Sequence, residues 1–197
     1  MHHMPCGTDE DAQMADNSLN FDTSLAGMKK ADWLAAIEEL CEEDGYFERL
    51  GKRHFSAFIE KSETLLVTFE TLQGIPALSS LAQPLGWESM LQHNWSSLCI
   101  ASNGDTWFRD PAVYGYFDRL IDDGFFDDFE QVIFYGAGPC AYAAAAYSVA
   151  APGSYVLAVQ PQATLDPRVT EWDDRFTNMR RTDFTTRYGY APDMLDG

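Results

Sequence analysis

The apolar positions of this chain fall into two periods that alternate along its length. From Lys30 to Glu43, residues Trp33, Leu34, Ile37, Leu40 and Cys41 recur at spacings of three and four, opposite Glu38, Glu39, Glu42 and Glu43. An amphipathic helix is predicted there, ended by Asp44-Gly45. Short runs follow at Phe55–Ile59 and Leu65–Phe69, separated by the turn-like Lys61-Ser62-Glu63. Their β-branched and aromatic content predicts strands, as does that of Trp95–Ala101. Pro111–Asp122 returns to helical spacing, with Val113, Tyr116, Phe117, Leu120 and Ile121 on one face and proline in the first turn. The strongest unit is Gln131–Gln160, which reads as a strand at Val132–Tyr135, a glycine turn, a helix from about Pro139 to Ala150, and a strand at Tyr155–Val159. Strands alternating with helices predict an α/β fold, a three-layer sandwich around a mostly parallel sheet. Thr164–Arg187 is polar and predicts short helices with no clear strand.

Composition narrows this picture. The chain has 197 residues, 46% hydrophobic and 14% aromatic, enough for one domain with a sizeable core over 29–197. Residues 1–28 are acidic and poor in apolar groups, and are expected to form a flexible leader. Against 31 acids stand 13 Lys and Arg, a formal charge of −18. So negative a surface repels phosphate backbones and anionic lipid heads, so neither a nucleic acid nor a membrane is expected as partner. From Gln131 to Leu165 no Asp, Glu, Lys, Arg or His occurs, yet Gly136, Gly138, Pro139, Pro152 and Gly153 interrupt the run. It reads as buried core, too broken for a bilayer span of about 20 residues. Cys6, Cys41, Cys99 and Cys140 form no C-x-x-C pair, so reduced thiols and no metal site are expected. With no secretory signal at the N-terminus, the expected location is cytoplasmic.

Gly136-Ala137-Gly138-Pro139-Cys140-Ala141 fits two motifs. As a nucleophile elbow, G-x-S-x-G, it has Gly138 where the serine belongs and Cys140 in place of the last glycine. As a dinucleotide fingerprint, G-x-G-x-x-[G/A], it is satisfied by Gly136, Gly138 and Ala141, but Gln160 stands where the ribose-binding acid belongs. The run V-I-F-Y-G-A-G-P-C-A-Y-A-A-A-A-Y-S, followed by V-L-A-V-Q-P-Q-A-T-L-D-P-R-V, resembles bacterial α/β-hydrolase-like proteins over about Leu65–Phe176. It also looks like a subgroup often labelled phosphoadenosine phosphosulfate reductase, although the loop and cysteine tail of true reductases are missing.

The resemblance implies an α/β-hydrolase-like fold, C-terminally incomplete relative to a family that continues with further strand and helix. It also implies a degenerate elbow, because Gly138 replaces the serine and no histidine follows His93. The implied function is binding of a small-molecule ligand or non-serine chemistry without a cofactor, with Cys140 and Asp166 as candidate catalytic groups. The alternatives are a nucleotide-binding protein and a sulfur-metabolism reductase. Candidate ligand-binding residues are Asp105, Trp107, Arg109, Gly136, Gly138, Gln160 and Gln162, all on loops expected at the carboxyl edge of the sheet.

Overall fold

The structure, a computed structural model, describes residues 19–189. Helix α1 (Lys30–Cys41) is followed by β1 (Gly45–Leu50), β2 (His54–Ile59) and β3 (Thr64–Thr71). Two helices, α2 (Ile75–Leu78) and α3 (Leu85–His93), lead to β4 (Ser96–Ser102) and α4 (Pro111–Asp122). The chain continues through β5 (Gln131–Ala137), α5 (Pro139–Tyr147), β6 (Tyr155–Val159) and the short α6 (Pro167–Thr170). Both β1 and α3 are additional to the sequence expectation. In β1, Glu48 and Arg49 obscure the alternation, and Asp44-Gly45 at its start carries the pattern of a helix end.

The six strands form one sheet in the order β1-β2-β4-β3-β5-β6, with β2 antiparallel to both neighbours and every other pairing from β4 to β6 parallel. Helices cover both faces, as an α/β fold requires. On one face Trp33, Leu34 and Ile37 of α1 and Trp87 of α3 pack over Phe55, Ala57, Ile59 and Cys99. On the other, α4 and α5 pack over Leu65, Val67, Leu98, Ile100, Val132 and Phe134. Among the described residues no helix is long and apolar enough to cross a membrane.

Two polar segments pack more tightly than their composition suggests. Residues 19–28, expected within the acidic leader, are anchored on the core. Leu25 is buried and its amide donates to the Leu81 carbonyl, while the Gln83 amide donates to the carbonyls of Phe21 and Thr23. The remainder of the leader, 1–18, lies outside the described residues. Residues 164–189 wrap α5, which is buried on every side from Cys140 to Tyr147. Tyr142 donates its hydroxyl to the carbonyls of Tyr188 and Gly189, and Tyr147 stacks on Tyr188. A helix enclosed by sheet and strap alike needs no polar face, which accounts for its Ala-rich sequence.

Candidate functional site

The glycine turn sits at the carboxyl end of β5, and each glycine there has its own steric reason. A Cβ on Gly136 would lie 2.1 Å from the Cys140 carbonyl oxygen, so the turn closes directly onto the first turn of α5. Gly138 holds φ 58° and ψ −123°, a conformation that strains any residue with a side chain. A Cβ on Gly138 would meet nothing within 4 Å. The turn therefore points one side-chain position into open space, and that position carries no side chain.

The electrostatics of the turn differ from those of a working elbow. In a hydrolase the backbone N–H of the residue after the nucleophile donates to the oxyanion. Here that residue is Pro139, which has no N–H to give. Of the amides that a phosphate at the helix N-terminus would need, those of Cys140 and Ala141, the Ala141 amide donates to the Gly138 carbonyl at 3.0 Å. The proline is visible in the sequence, but its good fit to a first helical position masks the donor it removes.

Two hollows flank the turn. The first, of about 460 Å³, is lined by Gly138, Pro139, Gln160, Pro161, Gln162, Arg175 and Phe176. It unites three of the residues expected at the ligand edge, Gly138, Gln160 and Gln162, with two from the polar strap. Gln160 follows β6 at φ 53°, and the Gln162 Oε1 is buried with no hydrogen-bond partner among the described residues. The second hollow, of about 210 Å³, opens on the other side of Pro139 and is mainly apolar, lined in part by Phe69, Tyr135 and Cys140. Glu70, the one acid of β3, also lines it, and sequence reasoning missed this residue. Glu70 accepts from the Thr68 hydroxyl at 2.6 Å and, with both oxygens, from the Leu85 amide at 3.1 Å, capping α3. Burial pushes its carboxyl above the usual carboxylate value. The chain matches no family model, no curated protein and no solved structure. The site must therefore be read from its own geometry.

Cys140 does not sit as an activated nucleophile would. It is 7% exposed, and burial, followed by the nearby charges of Glu70 and Asp105, pushes its thiol up to about 12. A helix N-terminus favours a thiolate, but at Cys140 desolvation outweighs that effect. Asp166 is buried, caps α6 by accepting from the Arg168 amide, and pairs with the Arg168 guanidinium at 2.6 Å.

No residue of the 103–110 loop lines either hollow. Trp107 is buried at φ 53° among Tyr142, Phe176 and Phe184, and contributes packing where a pocket wall was expected. Arg109 donates to the carbonyls of Asp183, Thr186, Arg187 and Tyr188 and lies 4.6 Å over the Tyr114 ring. Its guanidinium is therefore the clasp of the strap over α5. Asp105 is exposed on the loop surface. His54 sits at the start of β2, with Nε2 2.8 Å from the Thr106 hydroxyl and Nδ1 3.7 Å from Asp110. Burial lowers it to about 4, so it is neutral at ordinary pH and braces the loop. Among the described residues no group of three His, Cys, Asp or Glu is placed to hold a metal ion.

Proposed function

We propose that the protein is an α/β-hydrolase-like binding protein without serine-hydrolase chemistry, which holds a small flat molecule in the cleft above Gly138. The observation that carries this reading is the strained, side-chain-free turn at Gly138, opening into the 460 Å³ cleft. Such a conformation costs on the order of 1–3 kcal/mol where it carries a side chain, and it clusters at sites of function. The nucleophile, the downstream histidine and the amide donor at Pro139 are all missing, so an acyl transfer would lack attack, proton relay and charge stabilisation together.

Binding needs less. The Gln160 and Gln162 amides offer donors and acceptors, Phe176 and Pro161 offer apolar walls, and the partnerless Gln162 oxygen favours a ligand with an N–H or O–H donor. Saturation-transfer NMR with benzamide and phenol tests this. Signals are expected from at least one of them with the wild-type protein. They should disappear in Gly138→Leu, whose side chain enters the cleft, while the circular dichroism spectrum is retained. Silence from both probes, or equal signals with the variant, would remove the support for a binding site here.

A further inference from the structure

Among the described residues strand β6 is the last of the sheet, and it lacks the charges and proline that commonly keep an edge strand unpaired. Its sequence, Tyr-Val-Leu-Ala-Val, has no charge and no proline, whereas the opposite edge strand, β1, carries Glu48 and Arg49. Tyr155, Leu157 and Val159 are 66%, 58% and 42% exposed, all on one face. Among the described residues the helices on that face, α1 and α3, pack over β1 to β4 and leave β6 uncovered.

The backbone of this edge is also unpartnered in a defined pattern. Val159 accepts from the Gly138 amide at 2.9 Å, and Ala137 pairs with Val159 in the parallel register. In a parallel ladder a residue turns both its N–H and its carbonyl to the same neighbour. Tyr155, Leu157 and Val159 therefore face β5, and Val156 and Ala158 turn their amides and carbonyls outward. No backbone bond outside the ladder reaches these outward groups among the described residues.

We propose that β6 pairs antiparallel with β6 of a second copy of this chain, about a two-fold axis through Leu157, so that two six-stranded sheets become one. That register joins Val156 with Ala158 of the second copy through both of their outward hydrogen-bonding groups. It sets Leu157 opposite Leu157 in the closely spaced, non-hydrogen-bonded position, and Tyr155 opposite Val159, an aromatic against a β-branched residue. The strand is thus complementary to itself, as an isologous interface requires.

Charge favours a like copy meeting at this place. Two chains at −18 repel over most of their surfaces, and β6 lies within the stretch from Gln131 to Leu165 that has no acid, base or histidine.

Sedimentation equilibrium of the whole chain, with a mass of 22.1 kDa, tests the proposal. The wild type should show a concentration-dependent species of twice that mass. Leu157→Lys introduces facing like charges, and Ala158→Pro removes an outward N–H without touching the β5 ladder. Each should weaken association at least tenfold and keep the circular dichroism spectrum. In a Cys6→Ser background, Leu157→Cys should oxidise to a disulfide-linked dimer, and Leu91→Cys, on α3, should not. A wild type that stays monomeric at every concentration overturns the proposal. So does a dimer that survives Ala158→Pro, which would place contact on a face and not the edge, and so does growth beyond the dimer.

Discussion

At the scale of single residues, Gly138 and Pro139 decide what the turn can and cannot do. Serine in place of Gly138 would find room, since nothing lies within 4 Å of its Cβ, but it would inherit φ 58°. We expect Gly138→Ser to fold with a loss of about 1–3 kcal/mol, read by urea denaturation, the strain of a side chain in that backbone region. We expect no gain of p-nitrophenyl acetate hydrolysis and no fluorophosphonate labelling. No histidine occurs between His93 and Gly197 to activate the new hydroxyl in the usual chain order, and Pro139 offers no amide in front. Labelling of the introduced hydroxyl would show that an activating base does reach the turn. Gly138 and the lack of any histidine between His93 and Gly197 were legible in the sequence, because residue identity alone gives them. Glu70 was not legible, because its meaning depends on the start of α3 folding back over β3, a contact 15 residues away. Nor was the destination of Arg109, whose partners are the backbone carbonyls of residues 183–188, which have no side-chain signature.

At the scale of elements, periodicity located the interior strands and the helices α1 and α4, because buried strands read as apolar runs and amphipathic helices as stripes, while α5, which has no polar face, was placed by the glycine turn and proline that open it. It missed β1, where an edge strand tolerates Glu48 and Arg49, and α3, whose short sequence buries only Gly86, Trp87 and Met90. Composition alone also hides the packing of the polar strap, although Arg109, Tyr142 and Tyr147 tie that strap and the 103–110 loop to α5. The same loop is braced from below by His54, and this gives the fold a pH limit whose sign can be worked out. Burial lowers His54 from 6.5 to about 4, so the unfolded chain takes up the proton first as pH falls. Its contribution is complete above pH 6.5 and is lost between 6.5 and 4. The loss is roughly 3 kcal/mol, because each tenfold change in proton affinity is worth about 1.36 kcal/mol. Glu70 works in the opposite sense. Its raised carboxyl favours the folded state below pH 4.5, and that advantage is lost as pH rises from there through the raised value. The comparison of His54→Gln with wild type isolates the first effect. The stability difference between them, from urea titrations, should shift in favour of the variant as pH falls from 6.5 to 4. A difference independent of pH would mean that His54 titrates normally.

At the scale of the whole molecule, a formal charge of −18 on 197 residues sets how the fold responds to salt. Two effects oppose each other. Screening weakens attractive ion pairs, and among the described residues these are mostly surface contacts such as Arg119–Glu48, Arg180–Asp174 and Arg187–Asp118. Exposed pairs contribute about 0–1 kcal/mol each, so little is lost when they are screened. Screening also relieves repulsion among acids that outnumber bases by 31 to 13, and this repulsion acts over distances comparable to the Debye length of about 10 Å at 0.1 M. The exposed acids Glu38 and Glu39 of α1, with Glu42 and Glu43 just past its end, have no basic residue in the last turn of the helix to offset them. Repulsion should dominate the balance. The melting temperature is therefore expected to rise by several degrees between roughly 0.02 and 0.3 M sodium chloride. Sodium chloride is the right probe because sulfate would also strengthen apolar burial and mix the two causes. Calorimetry on Leu157→Lys, where self-association is removed, separates the effect on folding from any effect on the β6 interface. If the melting temperature of that variant falls with salt, the ion pairs outweigh the excess of acids, and the charge-balance argument is wrong.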